Sequence, residues 1–148
     1  MRDAERFLAK VDRTGDCWLW TGWRSRKGYG GFSVGGRAGR DVLAHRWSYE
    51  HHVGLIPAGM QVDHICHVPA CVNPAHLRLA TNKQNQENRS SATARSRSRV
   101  RGVSLYRDGR WRAVVGHNGK HIHVGYFATV AEAEAAVIAK RAELFTHA

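Results

Sequence analysis

The sequence contains no run approaching 18 apolar residues, which excludes an ordinary membrane-spanning helix. Its first ten residues, Met-Arg-Asp-Ala-Glu-Arg-Phe-Leu-Ala-Lys, lack an apolar signal core, and no basic helix carries a broad aromatic face. The chain is therefore expected to fold and act in a reducing cytosol, away from membranes. Acidic side chains are also few: 12 Asp plus Glu stand against 23 Lys plus Arg, a formal net charge of +11. Lysine is scarce too, occurring only at positions 10, 27, 83, 120 and 140, so arginine makes most of the excess. An arginine-rich basic chain points to a polyanion as partner, because the guanidinium fork matches phosphate and guanine. Only three cysteines are present, and three cannot all pair within one chain; clustered with histidine in a reducing compartment, they indicate a metal rather than disulfides.

What is there falls into two modules. At 148 residues the chain can hold one ordinary domain or two small ones. Residues 86–100 show no apolar periodicity and a Ser/Arg bias that a packed core could not use. Upstream lie all three cysteines and most histidines; downstream comes a short β pattern followed by one helix. We expect an α+β protein: a first domain over residues 1–90, a basic linker over 91–99, and a second domain over 100–148 built as a three-stranded antiparallel sheet with one helix.

In the first module the pattern predicts a short helix over residues 3–11 and an aromatic strand or turn over 18–23. A glycine-rich hairpin follows (29–34 and 41–43), then a helix over 44–52, a strand over 60–66, and a turn and strand over 73–80. Trp18, Trp20, Trp23, Tyr29 and Phe32 read as core rather than as base-stacking platforms. Thr81 and Gln84 form a capping box, so a helix should begin at Asn82 and set Asn82, Asn85 and Arg89 on one face. In the second module Trp111, Ala113 and Val115 alternate with Arg110, Arg112 and Val114, and Ile122 and Val124 with His121 and His123. Asn118-Gly119 between these runs is a hairpin turn signal. Thr129 and Glu132 form another capping box, and the stripe Ala131, Ala135, Ile138, Ala142, Phe145 is expected to dock on the sheet. Arg37 and Arg40, in the glycine-rich hairpin, are candidates for phosphate contacts.

The densest chemistry lies between Asp63 and Asn85, where His64, Cys66, Cys71, His76 and Asn85 fall within 22 residues. In residue type and spacing these five match the His-Cys box of nuclear homing endonucleases. The surrounding pattern, including Cys17-Trp18-Leu19-Trp20-Thr21-Gly22 and Ala44-His45-Arg46, resembles phage HNH endonucleases, and the two likenesses together cover roughly residues 15–90. The resemblance implies a ββα-metal nuclease fold stabilised by a structural zinc on Cys17, Cys66, Cys71 and His76. Three thiolates and one imidazole make a closed tetrahedral shell, as structural zinc needs. His67 is the alternative fourth ligand, but the family pattern uses the later histidine.

The same resemblance makes His64 the general base that deprotonates the attacking water. It makes Asn85 a ligand of one catalytic Mg²⁺, with Mn²⁺ able to substitute, and the products 3′-hydroxyl and 5′-phosphate ends. Asp63 is a candidate second Mg²⁺ ligand and catalytic residue. Neighbours on a regular strand point to opposite faces, so Asp63 and His64 share a site only if the strand ends or bulges there. The usual middle Asn of the HNH order is replaced by His76, which its role at zinc would explain.

Arg101-Gly102-Val103, Gly109-Arg110-Trp111-Arg112-Ala113 and His123-Val124-Gly125-Tyr126-Phe127 resemble the AP2/ERF DNA-binding domain over about residues 99–146. That likeness implies a sheet laid in the major groove of double-stranded DNA. Arg101, His121, His123 and Tyr126 would sit at contact positions, with Arg110 and Arg112 on the same face. Several base-reading positions of the plant domains are absent. Together these readings describe a homing-type DNA endonuclease of phage or mobile-element origin, acting as a monomer or homodimer in the bacterial cytoplasm. The competing readings are a non-catalytic zinc-containing DNA-binding regulator and a nuclease for RNA or branched DNA. His64 and Asn85 argue against the regulator, since neither is needed to hold zinc.

Overall fold

The computed structural model describes residues 3–89 and 96–145, with the side chain of Arg37 outside that description. The architecture is mixed, with small antiparallel sheets and a few helices, and the chain divides into two compact units, Met1–Asn85 and Gln86–Ala148. Residues 91–95 of the expected linker lie outside the described residues, whereas residues 96–99 fold with the second unit. The buried Ser98 hydroxyl donates to the Val103 carbonyl at 2.6 Å. Among the described residues no helix is long and apolar enough to cross a membrane.

The first unit runs α1 (Asp3–Leu8), β1 (Val11–Asp12), β2 (Leu19–Trp20), β3 (Gly31–Val34), β4 (Arg40–Leu43), α2 (Ala44–His52), β5 (Gln61–His64), β6 (Leu77–Ala80) and α3 (Asn82–Glu87), the unit boundary falling inside α3. Its strands form three separate antiparallel pairs, β1 with β2, β3 with β4 and β5 with β6. Such short ladders contribute little alone, so aromatic packing must hold them together. Phe7 of α1 is fully buried, and its ring centroid lies 4.9 Å from Trp20, 5.2 Å from Phe32 and 4.3 Å from Trp47. The Trp20 indole fits because Gly22 and Gly30 carry no side chain: a Cβ there would come within 2.9 and 2.5 Å of it. Trp23 departs from the expected core placement, being 70 % exposed and lying over Gly31. A second cluster, Tyr49, Val62 and Leu77, joins α2 to β5 and β6.

The capping box that sets the start of α3 forms as the sequence implies. Gln84 N–H donates to Thr81 Oγ1 at 3.2 Å, and Thr81 N–H donates to Gln84 Oε1 at 2.9 Å. The helix stops at Glu87, so Arg89 lies past its end and does not share a helical face with Asn82 and Asn85.

The second unit is a three-stranded antiparallel sheet, β7 (Val103–Leu105), β8 (Trp111–His117) and β9 (Lys120–Phe127), with α4 (Val130–Leu144) packed on one face. Asn118 and Gly119 link β8 to β9 with φ of 50° and 73°, as a tight hairpin of that kind requires. The ladder is irregular at one point: Ala113 pairs with Gly125, but Val114 pairs with His123, leaving Val124 as an extra residue in β9. That bulge reverses the phase of β9, and so His123 and Tyr126, three apart, both project from the open face; their ring centroids are 4.7 Å apart.

The docking face of α4 differs from the expected stripe. Ala133, Val137 and Phe145 are buried in the sheet core, whereas Ala131, Ala135 and Ala142 are exposed and Ile138 is 57 % exposed. Only Phe145 is common to both stripes. Six alanines between residues 131 and 142 spread apolar character around the helix, so the bulkier Val137 and Leu144 decide which side faces the sheet. Val137→Ala should therefore lower stability by about 1–3 kcal/mol, while Ile138→Ala should leave the denaturation midpoint within about 0.5 kcal/mol. Equal effects in chemical denaturation would reverse the assignment of the face.

Candidate active site and metal centre

Four side chains far apart in sequence meet in the first unit. The Sγ atoms of Cys17, Cys66 and Cys71 and a ring nitrogen of His76 all lie within 4.8 Å of one another. Cys17 sits just before β2, and the isolated bridge between Leu19 and Cys71 ties that strand to the loop after β5. The His76 Nδ1 is 3.5 Å from Cys17 Sγ and 3.6 Å from Cys71 Sγ. A tetrahedral zinc with ordinary Zn–S and Zn–N bonds would separate such pairs by about 3.6 Å, so the donor set fits the ion in size as well as in chemistry. His67, the alternative ligand, is exposed and not part of the cluster.

Burial, reinforced by the neighbouring thiols, pushes the Cys71 thiol up to about 12, and burial raises Cys17 as well. Crowded thiols that resist ionisation call for a cation to make them thiolates, which is what zinc does to coordinating cysteines. Asp16, unnoticed in the sequence, stands next to the cluster: its exposed carboxylate lies 3.3 Å from His76 Nε2. An imidazole whose Nε2–H is held by a carboxylate presents its Nδ1 lone pair to the metal. Asn73 fixes the loop bearing Asp16, donating to the Asp16 carbonyl at 2.8 Å while its Oδ1 accepts the Ala75 N–H at 3.0 Å.

The metal centre reaches the candidate base through the backbone. His64, the last residue of β5, is buried, and its Nε2 lies 3.0 Å from the carbonyl oxygen of Cys71. A carbonyl only accepts, so Nε2 carries the proton and the neutral ring keeps its lone pair at Nδ1. Burial holds His64 below the ordinary histidine range, against the upward pull of the Cys71 carbonyl and Asp63. A group that serves as a base must be unprotonated to act, and burial favours that form of His64.

Around His64 stand two rings, His45 with its centroid at 4.7 Å and Tyr29 at 6.0 Å. Both line an open cavity of about 320 Å³, together with Ser25, Leu43, Arg46, Gln61, Val62 and Asn85. Asn85 thus borders the same space as the rings packed on His64. Its Nδ2 donates to Gln61 Oε1, leaving Oδ1 with no hydrogen-bond partner among the described residues. Asp63 does not line this cavity; its carboxylate accepts from Arg78 Nε at 3.1 Å across the β5–β6 ladder. It shares with Gln61 the alternation phase opposite to His64, and β5 is regular up to His64, where it ends.

Residues 42–87 match the HNH endonuclease family. The gene 5.3 protein of Enterobacteria phage T3, described as uncharacterized, is 36 % identical over 74 residues, an alignment covering 43 % of this chain and 73 % of that protein. The chain belongs to the phage family of that gene 5.3 protein and carries an HNH endonuclease domain. The matched HNH segment holds His64, Cys66, Cys71, His76 and Asn85, while Cys17 lies upstream of it. Protein 7.7 of Escherichia phage T7 is 46 % identical over 72 residues, covering 49 % of this chain and 53 % of that protein. Protein 2.8 of the same phage is 35 % identical over 82 residues, covering 55 % of each. The chain thus spans about half the length of these two T7 relatives. No solved structure matches it significantly. HNH nucleases use metal ions, and this chain has a Cys₃His cluster that could bind zinc, three of its four residues inside the HNH segment.

In the second unit the open face gathers Tyr106, Arg110, Arg112, His121, His123 and Tyr126. The Arg110 guanidinium lies over the Tyr126 ring at 4.9 Å, and Tyr106 and Tyr126 are 4.8 Å apart. Arg110 also binds the Asp108 carboxylate at 2.7 and 2.9 Å, and its charge is partly offset there. Arg101 is placed differently from the residues grouped with it in the sequence. Its guanidinium caps the chain after α3, donating to the carbonyls of Gln86, Glu87 and Arg89. Arg40 is exposed at the start of β4.

Proposed function

We propose that this chain is a metal-dependent DNA endonuclease of homing type, cutting with its first unit and holding double-stranded DNA with an AP2-like second unit. The observation that carries the reading is the His64 ring, buried, kept neutral and tethered through Nε2 to the carbonyl of a zinc-site cysteine, beside a cavity bordered by Asn85. A purely structural histidine would not need a tether that keeps the proton on Nε2, next to rings that line the cavity.

In the proposed reaction His64 Nδ1 takes a proton from a water molecule whose oxygen bonds to the phosphorus. The P–O3′ bond breaks, and the departing oxygen picks up a proton, leaving 3′-hydroxyl and 5′-phosphate ends. Asn85 Oδ1, with Asp63 released from Arg78 as the second protein oxygen, would hold a Mg²⁺ or Mn²⁺ ion. Such an ion supplies positive charge against the anion that builds at phosphorus and at the leaving oxygen. The cysteines hold zinc in a purely structural role.

Arg110, Arg112, His121, His123 and Tyr126 are assigned to DNA contact on the open sheet face, with Arg37, Arg40 and Arg89 as further phosphate contacts. Arg101 supports that surface by capping. The test is incubation of purified full-length chain with phage or bacterial genomic DNA and Mg²⁺, followed by mapping of the ends. Metal-dependent 3′-hydroxyl and 5′-phosphate termini are expected; tight binding without cleavage under any divalent ion would replace the nuclease with a DNA-binding regulator. If about six to eight phosphates are neutralised, log Kd should change with log salt with a slope on the order of 5 to 7 in magnitude. A flat response in fluorescence anisotropy would remove the DNA-gripping role of the second unit.

A further inference from the structure

His45 is the second residue of α2, and nothing derived so far uses it. It is buried to 5 % exposure, and its Nδ1 is enclosed with no hydrogen-bond partner among the described residues. A proton there would be an orphaned N–H, the rarer and more costly kind of unsatisfied group, so the proton belongs on Nε2. The structure records no hydrogen bond for Nε2 and does not enclose it, and the ring lines the cavity shared with Asn85. Burial first, and then the neighbouring His64 and Arg46, push this imidazole down to about 3, so at neutral pH it is an uncharged single donor.

Its surroundings point to an anion as the acceptor. Arg46, the next residue, lines the same cavity, and among the described residues no carboxylate does. The first turn of α2 contains no acidic residue, and its N-cap, Leu43, has no side chain that can accept from the turn's N–H groups. The helix start therefore has no carboxylate of its own against its partial positive charge, although the Gly30 carbonyl accepts the Ala44 N–H at 2.9 Å.

We propose that His45 Nε2–H donates a hydrogen bond to a non-bridging oxygen of the scissile phosphodiester, making His45 a further catalytic residue on the α2 side of the cavity. The inference rests on the nuclease reading of the site. His64 handles the attacking water; His45 meets the oxygen on which charge accumulates. A neutral donor suits that task, because it cannot give its proton to His64, whose ring it touches, and so cannot compromise the base.

The two amide substitutions separate the nitrogens, since Gln places an N–H near the Nε2 position and Asn near Nδ1. Single-turnover cleavage of plasmid DNA by the full-length protein with Mg²⁺ is the assay, with zinc content and melting temperature checked for each variant. With wild type active and His64→Ala inactive, the nuclease reading stands and the His45 variants decide this proposal. His45→Gln should stay within about 10-fold of wild type, and His45→Asn should fall about 100-fold or more in kcat, with DNA affinity nearly unchanged in both. Equal rates for the two variants, high or low, would assign His45 to packing alone. If neither variant folds, long-range ¹H–¹⁵N spectra of the wild-type histidines provide the check: the Nε2–H tautomer at His45 is required, and the Nδ1–H tautomer would overturn the proposal.

Discussion

Replacing His64 with alanine is expected to lower the single-turnover cleavage rate by about 10²- to 10⁴-fold, the range a positioned general base supplies. DNA affinity should stay within about 2-fold, because affinity rests on phosphate contacts by cationic side chains rather than on a neutral imidazole. The geometry explains why the loss should be concentrated in kcat. His64 is held by the Cys71 carbonyl at 3.0 Å and by the rings of His45 and Tyr29, so substrate need not reorganise it before reaction. The interaction it offers is made with a proton in flight, not with bound DNA. Small-molecule imidazole should restore part of the rate by entering the space left behind. A parallel loss of binding and cleavage, with no rescue, would make His64 a structural residue and withdraw the nuclease assignment.

The second large effect is expected from the metal. Cys71→Ser, or a strong chelator, should unfold the first unit and leave the second intact. The first unit relies on three two-stranded pairs and two modest aromatic and aliphatic clusters. Structural zinc can contribute about 10–16 kcal/mol of apparent binding free energy, against a total stability of about 5–15 kcal/mol for an ordinary domain. Losing the ion therefore removes as much as the whole unit has. The second unit has its own core of Val103, Ala113, Val115, Ala133, Val137 and Phe145, and none of the four candidate ligands belongs to it. Four of the five tryptophans, Trp18, Trp20, Trp23 and Trp47, lie in the first unit and report on it by fluorescence, while amide exchange in α4 reports on the second. Metal analysis should find about one zinc per chain. Unchanged emission and near-ultraviolet dichroism after complete chelation would eliminate a structural metal.

Much of the metal cluster could be read from the sequence because three of its four ligands fall within 11 residues and cysteine is otherwise absent beyond Cys17. Asp16 could not, since its partner His76 is distant in the chain and a carboxylate beside a cysteine carries no signal of its own. Most strands and helices of both units followed from alternation, the Asn118-Gly119 turn and the two capping boxes, all of which are local; β1 did not, since residues 3–11 read as one helix that in fact ends at Leu8. The features that escaped depend on long-range packing or on a break in a period. The α4 face was hidden by alanines on every side, and the bulge at Val124 is invisible to a rule that assumes strict alternation. Trp23 was expected inside because aromatic residues near a strand usually are, yet Trp20 already fills the space between Gly22 and Gly30. The AP2/ERF likeness put Arg101 among the DNA-contact positions, whereas carbonyl groups at and just past the end of α3 accept from its guanidinium. His45 gave no sign of its role, since burial and a missing partner are properties of the folded chain alone.

Cys71 serves two neighbours with different atoms, its thiol toward the candidate metal cluster and its carbonyl toward His64. Every amino acid brings the same carbonyl, so relatives are free to exchange the ligand chemistry at this position without disarming the base. What they are not free to change is the count of residues in the arch from Cys66 to Cys71. That arch already bends through a left-handed backbone at His67, with φ of 56°. One residue more or fewer would carry the carbonyl away from the imidazole even if every metal ligand survived. Arch length, rather than the identity of the side chains along it, is the quantity that inheritance should guard here.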